Sequence, residues 1–345
     1  MTLRDAVKTA QNAVSKKARD WAKTAANKNA PTATRLEAFQ QIINSEVGGT
    51  WQRSSRALER DFDLPDIYLK FEGDNPTGTQ KDRIAFAQVA DALTKGHDNV
   101  ALATCGNYGV AVALAAHLAG LTCHIYVPAG YHTHRLQEME ALGGTIYRPT
   151  GSYEDVVTYS SNEANKHGWY DANPGGQNAT LQINAYAGIG REILADLNPA
   201  PASIAVPVSN GTLLAGIHAG LADAPTKMIA ASSTAKNPIV HSFRQGLTKC
   251  VDLDPAKIRE TITNEPLINW HSFDGQEALD AVKNSGGAAY NISDQRMKNM
   301  SKYLREREAL QVLPASTAGL IALIKMHEEG KLAPGAHVAV LTAKR

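Results

Sequence analysis

The chain has 345 residues, 43% of them hydrophobic and 20% charged, and a formal net charge of +1. That length suits one large α/β unit or two lobes with sizeable cores, and a near-neutral charge gives no reason to expect nucleic acid or an anionic membrane as partner. Cys105, Cys123 and Cys250 are an odd number without metal spacing and fit a reducing cytosol better than a disulfide framework. No apolar run approaches a membrane span and no signal-peptide core opens the chain, so a cytoplasmic protein is expected.

Residues 4–29 are rich in Ala and Lys with Asp5 and Asp20 interspersed, which predicts a helical extension; a mitochondrial presequence would avoid such acids. From Ile67 onward, short apolar runs alternate with amphipathic stretches. Strands are expected at Ile67–Phe71, Val100–Ala103, Thr122–Val127, Thr145–Arg148, Ser203–Val208, Lys227–Ala231 and His337–Leu341. Helices are expected at Lys81–Thr94, Tyr108–Leu118, His134–Leu142, Tyr153–Lys166, Leu181–Leu197 and Leu213–Ala222. Residues 250–285 are poorly patterned except for a helix near Gln276–Asn284, and the alternating charges of Lys302 to Glu308 read as a solvated helix face. Strand-then-helix repetition predicts an α/β fold of mostly parallel sheet covered by helices on both faces, with ligands at the carboxyl ends of strands.

The most informative segment is Thr77-Gly78-Thr79-Gln80-Lys81-Asp82-Arg83, after Lys70-Phe71-Glu72-Gly73-Asp74-Asn75-Pro76. It reads as a strand, a turn on Asn-Pro and Thr-Gly, and a helix opening at a lysine. Positive potential at a helix N-terminus favours a neutral lysine amine, which condenses with aldehydes; taken alone, the spacing also suits a solvated lysine on a first helical turn.

Other strand ends carry polar loops. Thr104-Cys105-Gly106-Asn107-Tyr108-Gly109 precedes an Ala-rich helix and suits a carboxylate. Ser209-Asn210-Gly211-Thr212-Leu213 follows a buried strand and suits a phosphate held by main-chain donors, although no Gly-Lys-Ser/Thr makes it a nucleotide P-loop. His132 and His134 could suggest a metal, but no third ligand is placed nearby and no metal site is expected.

The order of Gly48-Gly49-Thr50, the lysine segment, Thr104-Cys105-Gly106-Asn107, the Pro207-to-Gly211 loop and Leu313-Pro314-Ala315-Ser316-Thr317-Ala318-Gly319 resembles a fold-type II pyridoxal-phosphate enzyme. Within that group (the tryptophan synthase β-like superfamily) it is most similar to the threonine synthases, over about residues 45 to 342. The resemblance implies two three-layer αβα lobes and pyridoxal 5'-phosphate as cofactor. Lys81 would hold the cofactor aldehyde as a Schiff base and then shuttle the proton; Asn107 would bond its phenolic oxygen. Ser209, Asn210, Gly211, Thr212 and Leu213 would hold its phosphate, and Thr342 would face the ring nitrogen. Thr104, Cys105 and Gly106 would receive the substrate carboxylate, with Gln80 and Tyr108 also facing the substrate. With a domain crossing in the Asp171–Asn178 cluster, a large cofactor domain comprises residues 1–64 and 175–345, including the N-terminal extension. A smaller mobile domain of residues 65–174 then carries Lys81 and the Asn107 loop; a homodimer is expected.

The sequence departs from the threonine synthase pattern at four places. Thr79-Gln80 replaces the usual Ser-Phe before the lysine, and Tyr108 replaces Thr or Ser after the asparagine. The Asn-Pro-x-Arg element that grips substrate phosphate becomes Asn173-Pro174-Gly175-Gly176-Gln177-Asn178, with no arginine until Arg191. The Thr-Gly-His-Gly block is reduced to Thr342-Ala343-Lys344-Arg345. The expected activity is a lyase acting on an amino acid with a β- or γ-leaving group, by default O-phosphohomoserine to threonine and phosphate. The alternatives are a β-eliminating or β-replacing enzyme, dehydratase-like or cysteine synthase-like, on a smaller or non-phosphorylated substrate, and a cofactor-binding protein without catalysis.

Overall fold

The computed structural model describes residues 12–131, 133 and 135–345; His132 and His134, with the start of the helix expected there, lie outside the described residues. In chain order the first elements are α1 (Lys16–Ala25), α2 (Thr32–Glu46), β1 (Gln52–Ser54), α3 (Arg56–Phe62), β2 (Ile67–Phe71), α4 (Lys81–Thr94) and β3 (Asn99–Ala103). There follow α5 (Asn107–Ala119), β4 (Thr122–Tyr126), α6 (Leu136–Ala141), β5 (Thr145–Tyr147), α7 (Tyr153–His167), β6 (Tyr170–Asp171), α8 (Ala179–Asp196), β7 (Ser203–Pro207) and α9 (Thr212–Ala219). The last are β8 (Lys227–Ser233), α10 (Pro238–Arg244), α11 (Gly275–Asn284), β9 (Ala288–Ile292), α12 (Asp294–Arg307), α13 (Ala318–Glu328) and β10 (His337–Leu341).

The chain divides into two compact units. The first comprises the described residues up to Gly48 with Asn75–Gln182, and the second Gly49–Asp74 with Ile183–Arg345. In the first, four strands run parallel in the order β5-β4-β3-β6. In the second, six strands run in the order β1-β2-β10-β7-β8-β9, and only β1, at the edge, is antiparallel. Central strands such as β7 and β10 are buried along their whole length, which is why they read as continuous apolar runs.

This division differs from the sequence expectation at both ends of the small domain. The N-terminal helices belong with the first unit: Phe39 of α2 stacks on Phe86 of α4 with ring centroids 5.7 Å apart. Buried Arg35 donates from Nε to the Ala25 carbonyl (2.9 Å) and from Nη2 to the Ala119 carbonyl (3.0 Å), so one cation sits on the negative ends of α1 and α5. β2, expected to open the small domain, instead pairs with β10 in the larger sheet, Ile67 opposite His337. Strand pairing is a long-range choice that the local run Ile67–Phe71 does not encode.

Lys70, fully buried in β2, donates to the Thr50 carbonyl (2.6 Å) and pairs with Glu192 at 2.7 Å, which satisfies a charge that would otherwise be costly there. β1, β6, β9, α2, α3, α10 and α13 escaped the sequence reading, which caught of α12 only the charged face near its end. β9 sits beside β8, with Ala288 opposite Ile229, and Met297, Met300 and Leu304 form the buried face behind the charged stripe of α12. No helix among the described residues is long and apolar enough to cross a membrane.

Candidate active site

In the first unit, Asp82 shapes the lysine turn. Its carboxylate, fully buried, accepts from the Thr77 backbone N–H and the Thr77 hydroxyl, each at 2.8 Å. Gly78, at φ 83, reverses the chain, and its N–H donates to the Asn75 carbonyl at 2.8 Å. The Thr79 hydroxyl donates to Gln80 Oε1 and accepts from Lys81 N at 3.4 Å. Lys81 is half-buried at the first position of α4, and its Nζ lies 5.6 Å from the centre of the Tyr108 ring.

The loop from β3 to α5 stands beside this turn. Thr104 is buried, and its hydroxyl accepts from the N–H groups of Gly106 (3.1 Å) and Gly109 (3.0 Å), closing the loop on itself. The N-cap residue of α5, Gly106, has no side chain, and the Thr104 hydroxyl takes over capping at the Gly109 N–H. A Cβ on Gly109 would lie 2.6 Å from Thr104 Cγ2 and 2.8 Å from Met139 Cε, so only glycine lets α5 start this close to α6. Cys105 is half-buried in the loop. Tyr108 directs its hydroxyl away, to Gln88 Oε1 and to the Ala172 carbonyl (2.7 Å). It therefore offers the Lys81 amine a ring face, and its hydroxyl is not the group presented there.

Asn107 is held by a residue that the sequence reading missed. Arg135 Nη1 donates to Asn107 Oδ1 at 2.6 Å, and Nη2 donates to the Thr77 carbonyl (3.1 Å) and to Glu138 Oε2 (3.0 Å). Arg135 and Glu138 are both buried. Nothing local marks Arg135: it precedes a short helix in a polar stretch, and only the packing of α6 beside α5 brings it to Asn107.

Asn173 also proves to be internal. Fully buried, it accepts from Ala103 N at 2.7 Å and donates to Ser160 Oγ (3.1 Å) and Asp171 Oδ1 (2.7 Å). The segment at Asn173-Pro174 is therefore a brace on the end of β3.

In the second unit, the loop of residues 208–212 and Thr342 follow β7 and β10, adjacent parallel strands, so both emerge at the carboxyl edge of the same sheet. The Ser209 carbonyl accepts from Asn237 Nδ2 (3.0 Å) and Ser272 Oγ (3.1 Å), and the Asn210 carbonyl from Asp274 N (2.9 Å). Asn210 Oδ1 accepts from Asn269 Nδ2 at 3.2 Å, and the Thr212 hydroxyl is committed to Asp274 Oδ2. With its carbonyls and two of its side chains turned to these partners, the loop has main-chain N–H groups at the uncapped start of α9 to offer an anion. Gly211, at φ 101, makes the turn, and a Cβ there would lie 2.4 Å from the Asp274 carbonyl oxygen. Thr342 is buried, with its hydroxyl 2.8 Å from that of Ser316, which in turn accepts from Ala343 N at 2.9 Å.

Taken unit by unit, the donor types suit pyridoxal phosphate: the first unit offers an amine at a helix start and a side-chain amide, and the second a glycine-made turn of main-chain N–H groups and a neutral hydroxyl. Comparison with known proteins agrees. The family described as "Pyridoxal-phosphate dependent enzyme" matches residues 43–343. The threonine synthase of Methanocaldococcus jannaschii is 28% identical over 303 residues, 84% of this chain and 72% of that protein. Among solved structures, maize serine racemase superposes with a TM-score of 0.74 at 21% identity, covering 90% of this chain and 93% of its own. An L-serine ammonia-lyase from Rhizomucor miehei gives 0.72 at 20% identity, covering 86% and 93%. These likenesses to solved structures establish the shared fold. Matched over most of its length, the chain belongs to the pyridoxal-phosphate dependent enzymes, and pyridoxal 5'-phosphate is its cofactor.

Proposed function

We propose that the protein is a lyase related to the threonine synthases, acting on an amino acid with a leaving group at the β- or γ-carbon. The observation that carries this reading is the lysine turn, with Asp82 fixing Thr77 and Lys81 opening α4, in a chain whose similarity to a threonine synthase spans 84% of its length. Bound pyridoxal phosphate withdraws electrons from the amino acid and stabilises negative charge at its α-carbon. Lys81 Nζ removes and returns the α-proton. Asn107 would donate to the cofactor's phenolic oxygen. The N–H groups of Ser209 to Leu213 would hold the phosphate, and the neutral Thr342 hydroxyl would serve the ring nitrogen, which would favour elimination over transamination. The first turn of α5 at Gly106, beside Cys105, would receive the substrate carboxylate, with the Thr104 hydroxyl capping the Gly109 N–H and holding the loop in shape.

A second reading concerns the leaving group, and Asn173 favours it. Its amide is committed inside the first unit, no arginine follows it before Arg191, and Arg135 is engaged by Asn107, Thr77 and Glu138. A substrate phosphate would lack its bidentate partner, a loss of about 2–5 kcal/mol, or roughly one and a half to four orders of magnitude. A smaller or uncharged leaving group at the β-carbon then competes well with O-phosphohomoserine. The test is the specificity constant for O-phosphohomoserine against serine, threonine and their O-acetyl and O-phospho derivatives, with phosphate, ammonia and threonine all measured. Efficient threonine formation from O-phosphohomoserine would refute the second reading and restore the first in its simplest form.

A further inference from the structure

We infer that Arg135 is a positioning residue that fixes which end of the Asn107 amide faces the cofactor. The inference rests on Asn107 being the ligand of the phenolic oxygen and extends it to a residue outside that contact.

A carboxamide has one accepting and one donating end of nearly equal size, and a half-turn about its last bond exchanges them. A guanidinium can only donate. Arg135 Nη1, 2.6 Å from the Asn107 side chain, therefore requires Oδ1 on its side and directs the donating Nδ2 elsewhere. A phenolate oxygen accepts, so this is the orientation in which Asn107 stabilises the charged form of the cofactor's oxygen; the reversed amide would set acceptor against acceptor. The fork is itself immobilised. Nη2 donates to the Thr77 carbonyl at 3.1 Å and to Glu138 at 3.0 Å, and the Arg135–Glu138 pair is buried. Because Thr77 is held by Asp82, next to Lys81, the same guanidinium ties the lysine turn to Asn107.

The test measures cofactor affinity and the visible spectrum of the bound cofactor, in full-length protein stripped of cofactor and titrated with pyridoxal phosphate. Arg135→Met and Asn107→Ala should each raise the dissociation constant about tenfold, the size of one hydrogen bond to a charged group, and the double variant no further than either single one. Both should shift intensity from the visible band of the phenolate towards the near-ultraviolet band of the neutral phenol, a change that loosened packing alone does not produce. Arg135→Met leaves Glu138 buried without its cation, so the substitution is repeated with Glu138→Gln. Asn107→Asp gives a second route: a carboxylate held by Arg135 presents only acceptors, so it should bind the cofactor more weakly than Asn107→Ala. Additive losses in the double variant, an unchanged spectrum in Arg135→Met, or Asn107→Asp binding as tightly as Asn107→Ala would overturn the inference. If Asn107→Ala itself leaves affinity unaltered, the assignment of Asn107 falls together with it; if Asn107→Ala weakens binding and Arg135→Met does not, the role of Arg135 alone falls.

Discussion

Replacing Gly211 with alanine tests the main-chain cradle most directly. Gly211 sits at φ 101, where an L residue is strained by about 1–2 kcal/mol. The new Cβ would also stand 2.4 Å from the Asp274 carbonyl oxygen and 2.9 Å from Ala278 Cβ. Ordinary contact begins at 3.4 Å, so the loop or the start of α11 must move by about 1 Å, an overpacking cost of roughly 1–3 kcal/mol. Together these predict a loss of about 2–5 kcal/mol, a large part of a typical 5–15 kcal/mol stability. A displaced loop also misdirects one or two N–H donors from the phosphate, each worth about 1.5–3 kcal/mol, so affinity should fall by roughly one to four orders of magnitude. Denaturant unfolding of the cofactor-free protein measures the first effect, and titration with pyridoxal phosphate the second. Ser209→Ala is the control, since it removes a side chain and leaves the N–H groups in place; it should change affinity only a few-fold. If Gly211→Ala binds as wild type while Ser209→Ala abolishes binding, the phosphate is held by side chains and the cradle argument fails.

Borohydride reduction of the holoprotein should fix the cofactor covalently to Lys81, and Lys81→Ala should abolish the attachment; peptide mapping that finds another lysine would remove the core of the proposed chemistry. Asp82→Ala strands the buried N–H and hydroxyl of Thr77, so it should cost about 2–4 kcal/mol and displace Lys81, read as lower stability and weaker cofactor binding together; unchanged unfolding would show that the turn holds itself. Burial lowers the His337 imidazole below its ordinary 6.5, against the opposing pull of the Ala333 carbonyl. The unfolded chain therefore takes up the proton first, so stability is full above about pH 6.5 and is lost as the pH falls below it. His337→Asn should flatten that acid slope in denaturant midpoints, and identical slopes in the variant and wild type would dismiss His337 as a contributor.

Much of the fold was legible in the sequence because the parallel strands are buried on both faces. Ser203–Pro207 and His337–Leu341 read as strands, and polar loops marked their carboxyl ends. The lysine segment was legible for a similar reason: a turn, a glycine at positive φ and a helix start are local events with local residue signals. Strand partnership and side-chain direction were not local. That β2 joins β10, and that the N-terminal helices group with residues 75–182, depends on contacts between segments far apart in the chain. The same holds within the candidate site. Thr104 and Tyr108 looked like substrate contacts, yet the structure commits the Thr104 hydroxyl to the loop's own N–H groups and turns the Tyr108 hydroxyl to Gln88 and Ala172. Arg135 carried no signal as a site residue and Ser316 only as one member of the Leu313–Gly319 block, although they hold the side chains of Asn107 and Thr342. The sequence alone determined which chemical groups stand at strand ends, because a strand end is set by its own few residues. Only the tertiary structure decided which of those groups are already hydrogen-bonded, because each partner is supplied by a different turn of the chain.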